Sequence, residues 1–252
     1  MAMARPFIKW VGGKSQLLEE IRTKYPLKVE KYCEPFVGGG AVLFDVLQKS
    51  HPEQVLINDI NAELINTYKQ IRDNPENVIG QLASLQEKYK SHTNDENKVF
   101  FYEKRDRYNE LKVNENNAEN LEKAALFIFL NKTCFNGLYR VNAKGLFNVP
   151  FNSAKNPLLC DAENLRECSK LLQNVEMTVG DYSQCKDFTN NMGVPAKAVG
   201  LCRVPLTLHS FASLRNGYAA LTIPNAKKYA IGHLEKLTFV TFSRLPASSK
   251  SL

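Results

Sequence analysis

The stretch from residue 32 to residue 61 constrains the fold of this chain more than any other part. It reads YCEPFVGGGAVLFDVLQ and then, after a short break, VLINDIN. The pattern predicts in order a strand, a helix and a second strand, over Tyr32–Phe36, Ala41–Gln48 and Val55–Ile57. Three glycines from Gly38 onward form the turn, where the missing Cβ lets the backbone come close to a ligand. Asp59 follows Gly38 by 21 residues, the spacing at which an acid in a βαβ unit reaches a ribose hydroxyl.

A second glycine pair lies near the start of the chain. Residues 7–14 read FIKWVGGK and contain Trp10, the only tryptophan. The pair followed by Lys14 and Ser15 indicates a turn that opens a helix over Ser15–Ile21, whose first N–H groups would suit an anionic ligand. The first glycine of a Walker loop is missing, and an ordinary helix start is the alternative interpretation.

The net charge of +7 does not by itself indicate a nucleic-acid partner, because it is unevenly distributed. Residues 1–187 contain 25 Lys and Arg against 25 Asp and Glu. Residues 188–252 contain eight basic residues and a single acid, Glu235, so the whole excess belongs to the tail.

Composition also bears on the compartment. No apolar run approaches the roughly 20 residues of a membrane span, and the start, MAMARPFIKW, lacks the apolar core of a signal peptide. We therefore expect a cytoplasmic protein without a membrane partner. The six cysteines form no CxxC pair and no cluster with histidine, so we expect free thiols and no metal site.

The middle of the chain predicts helices and then a hairpin. Helical periodicity extends over 61–72, 76–89, 97–112 and 121–131. Residues 133–151 read TCFNGLYRVNAKGLFNVPF, with short strands predicted over 138–141 and 146–149 and a turn over 142–145. Such a ribbon fits a major groove, where Arg140 could bind guanine while Lys132, Lys144 and Lys155 meet phosphates. A solvated sheet edge is the alternative.

A further acid is predicted at a strand end. A helix over Asp161–Leu172 precedes a strand over Val175–Val179, which leads into Gly180 and Asp181. Ligands in open α/β sheets bind outside the carboxyl ends of the strands, so Asp181 is a second candidate for the ligand site.

Together these motifs resemble the DNA adenine methylase (Dam-like) family of class D12 N6-adenine methyltransferases. The resemblance covers about residues 5–187 and rests on motifs in the family's order: KWVGGK at 9–14, EPFVGGGAV at 34–42, INDIN at 57–61, NGLYRVNAKGLFNVPF at 136–151 and VGDY at 179–182. It implies an α/β, Rossmann-like methyltransferase fold with an inserted helical and hairpin domain that recognises DNA. It also implies S-adenosylmethionine as cofactor and double-stranded DNA as substrate, usually at 5′-GATC; we expect a monomer.

The resemblance also implies roles for individual residues. The cofactor-binding positions would be Trp10, Lys14, Phe36, Gly38, Gly40, Asp59 and Asp181. The positions that approach DNA bases would be Lys9, Phe135, Asn136, Leu138, Arg140 and Pro150. The implied reaction is a direct displacement, in which the flipped-out adenine attacks the sulfonium methyl group in line.

The catalytic loop of the family, D-P-P-Y, is not found after Asp181, so the catalytic residues are unknown. The tail also changes composition abruptly near 187–190, which favours an out-of-frame translation or truncation; a truly divergent domain is the alternative. The expected divisions are 1–74 and 158–187 for the methyltransferase domain, 75–157 for the target-recognition insertion and 188–252 for an aberrant tail. With that tail, we expect little or no methyl transfer.

Three other functions share part of this pattern. A methyltransferase that acts on RNA or a small molecule would share the cofactor residues but not the hairpin. A catalytically dead DNA-binding remnant would keep the hairpin. An unrelated nucleotide-binding protein would share only the glycine turn.

Overall fold

A computed structural model describes residues 3–23, 25–114 and 120–190, and the backbone of three short strands beyond them. The helices are α1 Leu18–Arg22, α2 Ala41–Ser50, α3 Ala62–Asp73, α4 Pro75–Ser91, α5 Asn94–Asn114, α6 Asn120–Thr133, α7 Ala162–Leu172 and α8 Lys186–Asn190. The strands are β1 Lys31–Glu34, β2 Gln54–Asp59, β3 Val175–Val179, β4 Ala212–Leu214, β5 Tyr218–Ala220 and β6 Thr241–Phe242. The fold is thus a mixture of helices with a small, partly parallel sheet.

The chain forms two compact units. The helical unit comprises Met1–Lys14, Gly38–Asp45 and Asn61–Gln173. The sheet unit comprises Ser15–Val37, Val46–Ile60 and Asn174–Leu252.

The sheet unit is built on three parallel strands in the order β3-β2-β1. In β2, all residues after Gln54 are buried, as expected for a strand covered on both faces. The strands predicted over 32–36, 55–57 and 175–179 are confirmed as β1, β2 and β3. Because the three strands are parallel, their carboxyl ends lie at one edge of the sheet.

The helical unit is organised around α6, which packs against α3, α4 and α5. Ten of its residues are buried, among them Phe127, Phe129 and Leu130. A helix that is apolar on nearly all sides is stable only when other helices cover it. The predicted helices of this region are confirmed, with ends within three residues of those observed.

The two strands predicted over 138–141 and 146–149 were wrong. In their place the segment has a single antiparallel bridge, between Val141 and Phe147. Two backbone bonds flank this bridge, from the Asn142 N–H to the Leu146 carbonyl (2.9 Å) and from the Asn148 N–H to the Arg140 carbonyl (3.1 Å). The pairing ends before Leu138, because the Leu138 N–H donates to the Phe135 carbonyl (3.2 Å) and Pro150 has no N–H to donate. The turn itself forms as predicted, with the Gly145 N–H donating to the Asn142 carbonyl at 2.9 Å.

The aberrant tail expected over 188–252 lies almost entirely outside the described residues. Its described backbone gives the three short strands, in which β6 pairs antiparallel with β1 and β5 lies between β6 and β4. No helix among the described residues is long and apolar enough to cross a bilayer.

Candidate functional site

The glycine turn in the helical unit is closed by two aromatic side chains. A Cβ built on Gly38 would lie 2.7 Å from Cδ1 of Trp10, and one on Gly40 would lie 2.4 Å from the hydroxyl oxygen of Tyr68. The Tyr68 hydroxyl donates to the Gly38 carbonyl at 3.0 Å. The close approach that the glycines permit here is therefore to Trp10 and Tyr68, which brings three predicted cofactor residues together.

Lys14 lies at the end of the preceding glycine pair and is half-buried. Its ammonium group donates to the Gly12 carbonyl at 3.2 Å, and the Gly13 N–H donates to the Trp10 carbonyl at 3.0 Å. The helix predicted over Ser15–Ile21 begins as a short 3-10 turn at Ser15–Leu17 and continues as α1.

In the sheet unit, Asn58 joins the ends of all three parallel strands. Its amide nitrogen donates to the Pro35 carbonyl after β1 (3.1 Å) and to the Gly180 carbonyl after β3 (2.9 Å). Its amide oxygen accepts from the Thr178 hydroxyl at 2.9 Å. The side chain is fully buried, so these bonds set the relative positions of the three strand ends.

The two carboxylates predicted to bind the cofactor lie at the ends of these strands. Asp59 is buried at the end of β2, and its backbone carbonyl accepts from the Gly180 N–H at 3.1 Å. Asp181 is exposed and accepts from the Ser183 N–H at 3.0 Å, which caps a short 3-10 helix. Phe36 lies near Tyr182, with their ring centroids 6.4 Å apart. The unit therefore presents two acids and two aromatic rings at the carboxyl edge of its strands.

The six residues predicted to approach bases all lie in the helical unit. Lys9, Phe135, Asn136, Arg140 and Pro150 are exposed, and Leu138 is half-buried. The Phe135 N–H donates to the Pro150 carbonyl at 3.0 Å, which joins the two ends of the segment 134–151. The guanidinium of Arg140 donates to the side-chain oxygen of Asn148 (2.8 Å) and to its carbonyl (3.1 Å).

Lys9 is attached to this segment through Asn131, at the end of α6. The Asn131 side chain accepts from the Lys9 N–H and donates to the carbonyls of Lys9 and Gly137, each at 2.8 Å. Residues far apart in sequence thus form one connected surface of the helical unit.

Aromatic side chains pack against the segment 134–151 that carries this surface. Tyr139 stacks on Trp10 with centroids 6.1 Å apart and also packs against Phe127. Lys112 donates to the Tyr139 hydroxyl (3.0 Å) and to the Gly145 carbonyl (2.7 Å), which fixes the hairpin turn to α5.

Two ionisable groups near this surface are shifted by burial. Burial lowers the pKa of the Lys132 ammonium, which donates to the Leu158 carbonyl at 2.7 Å rather than pointing to a phosphate as an isolated charge. Burial raises the pKa of the Cys134 thiol to about 11, so it stays protonated near neutral pH and is a poor nucleophile. No group of acidic, histidine or cysteine side chains in the described part of the chain could hold a metal ion.

Sequence reasoning missed Tyr68, Asn58 and Asn131. In the sequence, Tyr68 shares the helical spacing of the apolar residues of α3, and Asn58 differs from other strand-end residues in no visible way. Asn131 gave a usable signal, because it is a polar residue that ends the apolar run AALFIFLN.

Comparison with known proteins agrees with the motifs. A family model described as D12 class N6 adenine-specific DNA methyltransferase matches residues 10–193. Type II methyltransferase M.MjaIII of Methanocaldococcus jannaschii is 44% identical over 191 residues, covering 74% of this chain and 65% of that protein. Type II methyltransferase M1.LlaDCHI of Lactococcus lactis subsp. cremoris is 37% identical over 182 residues, covering 71% of this chain and 60% of that protein.

A third relative extends the match. The DNA adenine methylase of Haemophilus influenzae is 31% identical over 232 residues, covering 92% of this chain and 74% of that protein. This coverage exceeds residues 1–187, so the match continues into the tail. The chain spans less than two thirds of the length of the first two relatives. The resemblance identified from the motifs is confirmed.

Proposed function

Because the chain belongs to the D12 class N6 adenine-specific DNA methyltransferases, we propose that its function is methyl transfer from S-adenosylmethionine to N6 of adenine in double-stranded DNA. The proposed target is 5′-GATC, and the proposed acting form is a cytoplasmic monomer. The relatives' names support the reaction class, since they are type II methyltransferases and a DNA adenine methylase.

The observation that carries the DNA part is the connected surface of Lys9 and the segment 134–151. It offers exposed groups of the kinds that read DNA: an arginine, a lysine, an asparagine and an aromatic ring. Lys9, Phe135, Asn136, Leu138, Arg140 and Pro150 are the proposed base-approaching residues. In this role Arg140 leaves Asn148 and bonds guanine bidentately.

The cofactor part rests on the chemistry of the residues near the glycine turn and the strand ends. S-adenosylmethionine supplies an activated methyl group when bound. Its ribose hydroxyls need acceptors, its adenine needs an aromatic or apolar contact, and its carboxylate needs a cation or N–H donors. Asp59, Asp181, Phe36, Trp10 and Lys14 are of these types, and the residues fit the group. We propose them for cofactor binding together with Gly38 and Gly40.

The finer fold is also a proposal. We propose that β1, β2 and β3 are the core of a Rossmann-like methyltransferase domain in residues 1–74 and 158–187. Residues 75–157 would be the inserted target-recognition domain, and residues 188–252 an aberrant tail produced by a frame error or truncation. The order β3-β2-β1, with a glycine turn after β1, supports the Rossmann-like assignment.

Equilibrium binding to the purified chain tests both ligands. Asp59→Asn keeps the size of the buried side chain, and we expect it to weaken S-adenosylmethionine binding at least tenfold. Arg140→Ala should abolish the preference for a GATC duplex over a scrambled duplex. Arg105→Ala removes an equal charge from α5 and should leave that preference intact, which separates base reading from bulk electrostatics.

The pattern of binding separates the alternatives. Cofactor binding without duplex binding would favour a methyltransferase acting on RNA or a small molecule. Duplex binding without cofactor binding would favour a DNA-binding remnant. If neither ligand bound, the proposed function would be wrong.

A further inference from the structure

The side chain of Asn131 forms hydrogen bonds with both backbone groups of Lys9, as the backbone of a paired β-strand would. It satisfies both the N–H and the carbonyl of Lys9, although the two residues are 122 positions apart. A carboxamide is suited to this task because it offers an acceptor and two donors within one planar group. Asn131 is only 4% exposed, so water does not readily replace these bonds if the side chain is removed.

The second donor of Asn131 extends this attachment to the turn at 135–137. It bonds the Gly137 carbonyl at 2.8 Å, and Gly137 adopts a left-handed backbone with φ of 63°. A Cβ on Gly137 would lie 2.5 Å from the Cβ of Lys9, so the lysine side chain begins in direct contact with the turn. The turn carries the exposed residues Phe135 and Asn136. Lys9 and these two residues are therefore held in a single relative position.

We propose that Asn131 is a positioning residue that sets target selectivity by holding Lys9 against the turn 135–137. The inference rests on the proposed function, since it assumes that Lys9 and the turn approach bases. Selectivity depends on the contacts that side chains make with base edges, whereas phosphate contacts carry no sequence information directly. Loss of Asn131 should therefore lower discrimination more than it lowers total affinity.

The chain offers a closely matched control. Asn164 of α7 bonds the backbone of Arg5 in the same manner, accepting from its N–H (2.9 Å) and donating to its carbonyl (3.0 Å). Asn164 is also buried, at 6% exposed. It fastens the same N-terminal stretch but has no bond to Lys9 or to Gly137. If Asn131 acted only by stabilising the fold, Asn164→Leu should therefore lower selectivity as well.

The test compares the affinity of the full chain for a GATC duplex with its affinity for a duplex with one substituted base pair. Thermal unfolding of each variant first sets a temperature at which all are folded. We expect Asn131→Leu to lower the selectivity ratio about tenfold, the scale of one misread base pair. Asn164→Leu should change it less than about twofold, within the usual variation for a distant site.

A double variant shows whether Asn131 acts through Lys9. Lys9→Ala should itself lower the selectivity ratio. Adding Asn131→Leu should then lower it clearly less than Asn131→Leu does alone, because the part of the effect that acts through the Lys9 side chain is already lost. If Asn131→Leu fails to fold, Gly137→Ala tests the same contact, because its new methyl group displaces Lys9. Its effect should shrink in a Lys9→Gly background, because glycine removes the Cβ of Lys9 that lies 2.5 Å from the new methyl group.

The outcomes separate the two proposals. A wild-type chain with no duplex preference would overturn the proposed target recognition and this inference with it. A selective wild-type chain with an equally selective Asn131→Leu variant would overturn only the inference. Equal losses in Asn131→Leu and Asn164→Leu, or fully additive losses with Lys9→Ala, would assign Asn131 a merely structural role and would also overturn it.

Discussion

Gly12 and Gly40 have almost the same backbone conformation in different surroundings. Their φ angles are 76° and 75°, so any side chain at either position incurs the left-handed penalty of about 1–2 kcal/mol. A Cβ on Gly12 meets nothing within 4 Å, whereas one on Gly40 collides with the buried Tyr68 hydroxyl. A comparison of alanine substitutions at the two positions therefore separates the cost of backbone strain from the cost of steric overlap at Gly40.

We expect Gly40→Ala to lower the free energy of unfolding by about 1–3 kcal/mol more than Gly12→Ala, the usual cost of overpacking. Chemical denaturation of the two variants measures the difference. Tyr68→Phe, which removes the hydroxyl, should recover part of the loss when combined with Gly40→Ala. Equal losses in the two alanine variants would show that the contact with Tyr68 does not matter.

The side chain of Asn58 makes three hydrogen bonds at the strand ends of the sheet unit. Asn58→Leu leaves the carbonyls of Pro35 and Gly180 without this donor, at about 1–3 kcal/mol for each buried group left unpaired. We expect a loss in unfolding free energy of about 3 kcal/mol. Thr178→Val removes the third bond and a longer bond from the same hydroxyl to the Ile57 carbonyl (3.5 Å), and it should cost about 1 kcal/mol. A larger loss in Thr178→Val than in Asn58→Leu would contradict this account.

At the scale of elements, an ion pair joins α5 to α6. Arg107 donates to the two carboxylate oxygens of Glu122 at 2.9 and 2.8 Å. These hydrogen bonds lower the pKa of Glu122 below its ordinary value of 4.5. Because the pKa in the folded state is lower than in the unfolded state, the contribution is complete above pH 4.5 and is lost as the pH falls through the lowered pKa.

We therefore expect part of the acid sensitivity of the fold to disappear in Glu122→Gln. Unfolding free energies measured from neutral pH down through this range should fall less steeply in the variant than in the wild type. Glu76→Gln is the matched control, because Glu76 makes a similar two-bond pair with Arg166 between α4 and α7 but is more exposed. Its effect should be smaller, and a larger effect would contradict the role of burial.

The helices and parallel strands were predictable because their signals are local. A window of a few residues is enough to show the apolar run around Phe127, and also the turn residues that separate one apolar run from the next. The contacts that organise the candidate site are not local: Asn58 bonds Gly180 and Asn131 bonds Lys9 across 122 positions in each case. The hairpin strands are shorter than predicted for a local reason, since the Leu138 N–H bonds the Phe135 carbonyl and Pro150 has no N–H.

At the scale of the whole molecule, the match to relatives and the missing catalytic loop point in different directions. The family match ends at residue 193, and D-P-P-Y is absent from the sequence beyond Asp181. The match to the Haemophilus influenzae protein nevertheless continues into the tail. The two explanations of the tail predict opposite results: a chain with a frame error should be inactive, whereas a chain with a divergent domain should methylate DNA.

We expect the chain as written to transfer methyl groups very poorly. The amine of adenine is a weak nucleophile because its lone pair is conjugated with the ring. The family's loop supplies hydrogen-bond acceptors and a stacking tyrosine that orient this lone pair. Losing positioning and transition-state hydrogen bonds together reduces the rate by on the order of 10³-fold or more. We do not expect Asp181 to replace the loop, because it lies before the loop's expected place and its side chain caps the turn at Ser183.

Two measurements decide this prediction. The first is translation of the coding DNA in the other two frames after the Asp187 codon, where a frame error predicts D-P-P-Y shortly downstream. The second is transfer of a labelled methyl group to a GATC duplex by the purified chain, compared with the repaired chain. A repaired chain with high activity and an inactive original would support the frame error, because the two share residues 1–187 and differ only in the tail. If both frames are closed and the original chain methylates the duplex, the tail is a divergent domain and another loop performs the chemistry.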